Sequence, residues 1–292
     1  MIISVSRRTD IPAFYSKWFM NRIRQGWCRV PNPFNKNQVS EVSLKPEEVD
    51  AFVFWTRNPR PLMPHLDELD GLGFRYCFLH TLIGYPAGID PRSPSPDAAV
   101  KNFRELSARL GPERTTWRYD PILLSSLAGL EFHKKNFLRT ARELRGCTRR
   151  CVISFVKVYR KVRSRLKLAV PDAVDELDFH RPEIGELLHF ISGTARENGM
   201  EVFHCAGEQD GSAFGILPGR CIDAELLSRV FGIPLDLRKD PAQRNACGCT
   251  ISRDIGMYDT CLFGCSYCYA TSSHERATVN YSRHDPESPS LI

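Results

Sequence analysis

The chain has 292 residues, 42% hydrophobic and 25% charged, with a net charge of +6. This is the composition of a globular protein long enough to bury a sizeable core, so a metal is not needed merely to hold a small fold together. No apolar run approaches the roughly 20 residues that span a bilayer, which argues against a membrane partner, and the mild, dispersed charge permits a phosphate-bearing partner without establishing one.

The apolar start, Met1-Ile-Ile-Ser-Val5, is too short for a signal peptide, so a cytoplasmic location is expected. In a reducing compartment eleven cysteines read as ligands or buried thiols rather than disulfides. Ile2 to Ser6 predicts a strand that runs into a charged cluster, Arg7-Arg8-Thr9-Asp10. From Pro12, the residues Phe14, Tyr15, Trp18, Phe19 and Ile23 recur at helical spacing, with Gly26 as the stop. Pro31, Asn32, Pro33 and Asn35 mark a turn-rich loop. Ala51 to Trp55 is apolar on both faces, as in a buried parallel strand, and ends in Thr56-Arg57-Asn58-Pro59. A helix near Pro61 to Leu69 precedes a strand from Phe74 to Leu79 that ends at His80 and Thr81.

After a proline-rich loop, a helix is predicted over Asp97 to Leu110, with Asp97 as its N-cap and Gly111 as its stop. A strand from about Arg114 to Trp117 leads into Arg118-Tyr119-Asp120-Pro121, then a helix over Phe132 to Leu144 and a strand from Cys151 to Val156. The run Arg160 to Lys167 is the most basic patch; it reads as a solvated helix or loop face, with a phosphate or nucleic-acid contact as the rival. Pro182 stands in the first turn of a helix bearing Ile184, Leu187, Leu188, Ile191 and Ala195. Glu201 to His204 is a sixth strand, ending at Cys205. Beyond it lies a short helix, Ala224 to Phe231, and a polar tail from His274 that is expected to fray.

Six strand–helix units predict an α/β fold with a parallel sheet: a complete or partial (β/α) TIM-like barrel over residues 1–205, closed by a cysteine-rich C-terminal segment, 206–292. Barrels build their sites at the C-terminal ends of the strands. There this sequence carries Arg7, Arg8, Asp10, Arg118 and Asp120, candidate catalytic groups, and Arg57, Asn58 and His80, candidate cofactor contacts. Guanidinium forks suit carboxylate and phosphate, and the aspartates can orient them.

Seven of the eleven cysteines fall in the last third; the dispersed Cys28, Cys77, Cys147 and Cys151 read as buried small side chains. Cys261-Leu-Phe-Gly-Cys265-Ser-Tyr-Cys268 sets three soft ligands on one short loop, able to face one metal centre. Zinc is the rival, although its sites usually use two Cys-x-x-Cys pairs. Cys205, Cys221, Cys247 and Cys249 amount to one further ligand set, for an auxiliary iron–sulfur cluster or a structural zinc, with His204 as a substitute ligand and scattered buried thiols as the alternative.

The Cys261–Cys268 loop resembles the cluster loop of radical S-adenosylmethionine (SAM) enzymes. The resemblance implies a 4Fe-4S cluster on Cys261, Cys265 and Cys268, one iron open to SAM, and Tyr267 near the adenine. More of the chain resembles domain-of-unknown-function family 1848, known for such a C-terminal cysteine cluster. The matching stretches are Ser6 to Phe14, Phe54 to Pro59, Trp117 to Leu124, Cys221-Ile-Asp, Gln243-Arg, Cys247-Gly-Cys and Ser252 through Cys268. This implies an enzyme that cleaves SAM to a deoxyadenosyl radical, drawing on an external electron donor and acting on an unidentified small-molecule or nucleic-acid substrate. Ordinary radical SAM barrels carry the loop after their first strand. Its place here implies a circular permutation, with Ile251 to Tyr258 supplying the strand beside Ile2 to Val5. Two rivals rest on the residues alone: a metal-dependent barrel hydrolase using Asp10, His80, Asp120 and His204 beside a structural zinc, and a nucleic-acid-binding iron–sulfur protein using Arg160 to Lys167.

Overall fold

The computed structural model describes residues 1–174 and 177–292. In chain order the elements are β1 (Ile2–Val5), α1 (Ile11–Phe14), α2 (Ser16–Gln25), β2 (Trp27–Asn32), β3 (Asn35–Ser43), β4 (Ala51–Thr56), α3 (Leu66–Gly71), β5 (Tyr76–Thr81), α4 (Pro96–Leu110), β6 (Thr115–Ile122), α5 (Leu130–Glu143), β7 (Arg150–Phe155), α6 (Arg160–Ala169), α7 (Pro182–Glu197), β8 (Glu201–Cys205), β9 (Leu217–Gly219), α8 (Ala224–Phe231), β10 (Arg253–Asp254) and α9 (His274–Ser282). Among these, no helix is long and apolar enough to cross a membrane.

Eight strands form one sheet in the order β10-β1-β4-β5-β6-β7-β8-β9, and every neighbouring pair is parallel. The α/β class and parallel sheet therefore match the strand–helix alternation. The C-terminal segment supplies both edges, so it is part of the same sheet. Closure is not seen: among the described residues no ladder joins β9 to β10. The edge strands are three and two residues long, which leaves too few backbone groups for a continuous ladder.

The central strands are buried on both faces. Phe52 and Phe54 point to one side, where both rings meet Phe19 of α2 edge-on at 5.4 Å. Ala51 and Val53 point to the other and join a second cluster with Leu79, Val152 and, from the C-terminal segment, Cys221, Ile222, Cys247 and Cys249. Each fully buried aromatic or aliphatic side chain stabilises the sheet by about 1.5–3 kcal/mol.

Four local readings are corrected. The stretch 31–35 is not an open loop but the turn of an antiparallel hairpin, β2–β3, whose polar second strand hides its alternation. The first helix breaks at Tyr15, whose hydroxyl donates to the Thr260 carbonyl (2.7 Å). Ser95, not Asp97, caps α4: its Oγ accepts from Ala98 N–H at 3.3 Å, and Pro96 opens the helix. The tail forms α9 and then lies on α2 and β2, with Trp18 Nε1–H donating to Ser288 O (2.9 Å), Arg29 N–H to Pro289 O (2.8 Å) and Leu291 buried.

Candidate functional site

The site begins where β10 meets β1. Ser4 Oγ (2.9 Å), Ser6 Oγ (2.6 Å), Arg7 N–H (2.8 Å) and Gly256 N–H (2.9 Å) all donate to the Asp254 carboxylate. Four donors on one buried carboxylate fix the register of the two strands. Glycine is required at 256 because a Cβ there would lie 2.0 Å from Ser6 Oγ. The chain leaving β10 thus starts the three-cysteine loop at the C-terminal end of the sheet, beside the end of β1.

That loop is held from three sides. Phe263 packs on Phe14 of α1 at 4.7 Å. Ser266 N–H donates to Ile89 O at 3.0 Å. Arg165 of α6 donates to the carbonyls of Ser266 (2.9 Å), Thr271 (2.6 Å) and Cys268. The basic run is therefore a helix with Val162 and Leu166 buried and one arginine committed to the loop; the side chain of Lys161 lies outside the described residues.

Arg57, after β4, reaches the loop from below. Its guanidinium pairs with Asp90 (2.9 Å), donates to Ser93 Oγ (3.1 Å) and contacts the Tyr267 hydroxyl. Burial works against its charge, but Asp90, Cys265, Tyr267 and Cys261 more than offset this and hold its pKa well above the ordinary value. Burial pushes the Cys261 thiol up to about 12, with Cys268 and Asp10 adding to it, and raises Cys265 strongly as well. In the absence of a metal these thiols prefer to stay protonated. Three soft thiols on one loop beside a permanent cation suit a thiolate-held iron–sulfur centre.

At the same end of the sheet, Arg7 and Arg118 both lie over the Trp55 ring, at 5.7 and 4.6 Å. Arg118 is ion-paired with Asp120, which also accepts from Ser154 Oγ. Tyr269, one residue beyond Cys268, donates its hydroxyl to Arg7 O at 3.1 Å. Arg7, Trp55, Arg118, Asp120 and Tyr269 thus form a cationic, aromatic wall next to the loop.

Cys205, Cys221, Cys247 and Cys249 also come together. Cys205 Sγ is 3.1 Å from Cys221 Sγ, and Ile222 N–H donates to Cys249 Sγ at 3.4 Å. The neighbouring thiols of Cys205, Cys221 and Cys247 push the Cys249 pKa down. Among the described residues no group of three or more His, Cys, Asp or Glu side chains is set out as a ready-made metal cage; Cys205 and Cys221 are in sulfur–sulfur contact.

Other candidates sit elsewhere or serve the frame. Asp10 is the N-cap of α1, accepting from Ala13 N–H (2.9 Å) and Arg57 N–H (2.6 Å), and burial raises its pKa to about 7. His80 is fully buried, stacked on Phe103 at 5.2 Å, with Nε2 3.3 Å from Arg57 O. Asn58 turns to Asn102 of α4 (3.3 Å). Arg8 lies over Tyr258 (5.3 Å) and donates to Gly256 O (3.3 Å). His204 packs against Phe155 and Phe179. Of the hydrolase quartet, Asp10 and His80 bond the Arg57 backbone, Asp120 pairs with Arg118, and His204 packs among aromatics. Asp90 and Ser93 carry no signal in the sequence, whereas Arg165 lies in the basic run Arg160–Lys167 and Asp254 in the Ser252–Gly256 motif. A cleft of about 800 Å³ lies at the N-terminal ends of β7 and β8, lined by residues including Glu113, Arg149, Glu201, Asp223 and Arg229.

The family model of a domain of unknown function, DUF1848, matches residues 2–270. No curated protein matches the chain.

Proposed function

We propose that this chain, which belongs to the DUF1848 family, is a radical SAM enzyme built as a circularly permuted barrel. The observation that carries this reading is the position of Cys261, Cys265 and Cys268. They follow a strand paired in parallel with β1 and sit at the C-terminal end of a parallel sheet, where α/β enzymes place their chemistry. A 4Fe-4S cluster held there by Cys261, Cys265 and Cys268 would supply the electron for reductive cleavage of SAM and so the radical chemistry on a substrate.

The chain's own residues prepare this chemistry. Cys261, Cys265 and Cys268 would hold the cluster, leaving one iron without a protein thiolate. Arg57, oriented by Asp90, places positive charge beside the anionic thiolates. Tyr267 is fixed by donating its hydroxyl to Asp90 at 2.9 Å, which sets its ring against Tyr85 at 5.9 Å. Arg7 and Arg118 over Trp55 would bind the anionic part of SAM or of a substrate. Phe263 and Tyr267 are buried beside the cysteines. An external electron donor completes the reaction.

The test is an anaerobic assay of reconstituted protein with SAM and a low-potential reductant, read as deoxyadenosine and methionine. Formation of both, lost in Cys265→Ala, supports the reading. No cleavage by protein carrying a full cluster would overturn it.

A further inference from the structure

The sheet has two free edges, and the second thiol group lies where they approach one another. Cys205 ends β8. Cys221 is two residues past β9. Cys247 and Cys249 lie just ahead of β10. The backbone joins at this point: Thr250 N–H donates to Ile222 O (3.0 Å), and Ala224 N–H donates to Thr250 Oγ1 (3.2 Å). Gly219 makes the approach possible, because a Cβ there would stand 2.9 Å from His204 O. Four thiols from three distant segments thus meet on the inner face of the sheet, Cys221, Cys247 and Cys249 all buried, beneath Arg7 and Arg118.

We infer that Cys205, Cys221, Cys247 and Cys249 bind a single tetrahedral metal ion of the zinc class, which clasps the two edges of the sheet together at the seam. Four thiolates satisfy such an ion completely and leave no open position, the signature of a structural site. Size separates such an ion from a second four-iron cluster. Two thiolates on one ion at about 2.3 Å stand about 3.7 Å apart, and Cys205 Sγ and Cys221 Sγ are 3.1 Å apart. Opening by about half an ångström admits an ion. A four-iron cluster, with each thiolate on a different iron, needs its ligands much farther apart. The 3.1 Å contact is also well beyond the roughly 2.05 Å of a disulfide. The two guanidiniums partly offset the double negative charge of a zinc tetrathiolate. The inference does not depend on the SAM reading, since it uses none of the residues of the first thiol loop.

The experiment uses full-length Cys261→Ala/Cys265→Ala/Cys268→Ala protein, stripped with chelator and titrated anaerobically with cobalt(II) alone. Stoichiometric uptake with the visible bands of tetrahedral tetrathiolate cobalt, displaced by zinc, is the expected result; adding Cys249→Ser or Cys221→Ser should abolish it. Folded triple variant, verified by circular dichroism, that takes up no cobalt would overturn the assignment. Should the triple variant not fold, the unmodified protein answers the same question by metal analysis and alkylation mapping. Zinc present, with these four thiols protected together until a mercurial releases it, supports the clasp. Free alkylation of all four, or iron bound at them, overturns it.

Discussion

Asp90 Oδ2 accepts from Arg57 Nη1 at 2.9 Å, and the aspartate side chain is 1% exposed. Tyr267 donates to the same oxygen at 2.9 Å. A buried guanidinium stripped of its counter-ion is costly, so Asp90→Ala should destabilise the protein by about 3–5 kcal/mol. Tyr267→Phe, which removes one neutral donor, should cost about 1 kcal/mol. Urea unfolding of the two variants checks the ranking; equal midpoints would show that the ion pair does not hold the loop.

The strands themselves were legible where side chains alternate or recur. The buried run Ala51–Trp55, the first-turn Pro182 and the helix Ala224–Phe231 stand in the structure as the sequence implies. What escaped notice depends on backbone. The tail after His274 is anchored through its carbonyls, which Trp18 and Arg29 contact, so its polar side chains misled. Asp90 looked like any loop aspartate among prolines, because its partners, Arg57 and Tyr267, are 33 and 177 residues away. Asn58 and His80 end strands, as cofactor contacts would, yet Asn58 pairs with Asn102 of α4 and His80 stacks on Phe103 of the same helix.

Asp254→Asn should loosen the β1–β10 junction. An amide turns one acceptor into a donor, facing Ser4, Ser6, Arg7 or Gly256, all of which already donate. A loss of about 2–3 kcal/mol is expected, against about 1 kcal/mol for Ser4→Ala. Hydrogen exchange should locate the loosening at residues 2–7 and 252–258; a uniform change across the sheet would contradict the assignment.

Burial lowers His80 and His133 from an ordinary 6.5 to about 4. His133 stays neutral between the Tyr119 hydroxyl at Nδ1 (2.8 Å) and Leu123 O at Nε2 (3.0 Å). Below 6.5 the unfolded chain takes up protons that the fold refuses. Their contribution is therefore complete above about 6.5 and is lost as pH falls toward 4. The urea midpoint should drop across this window, and His133→Gln should flatten the slope. An unchanged slope would remove His133 from the account.

Arg165 reaches the carbonyls of Ser266, Thr271 and Cys268 with one planar fork. Lysine keeps the charge but cannot span the three. Arg165→Lys should speed hydrogen exchange over residues 266–272 and lower iron retention, while far-ultraviolet circular dichroism stays unchanged. Wild-type exchange rates in the variant would show that the loop holds its own shape.

The most direct measurement is the metal and sulfide content of protein purified without oxygen, with absorption and electron paramagnetic resonance spectra taken before and after SAM is added. The account predicts about four irons with matching sulfide and a spectrum that shifts with SAM, because three thiolates leave one iron open; it also predicts a zinc ion that stays when the iron is removed. Zinc alone, with no SAM response after cluster reconstitution, would contradict the central claim.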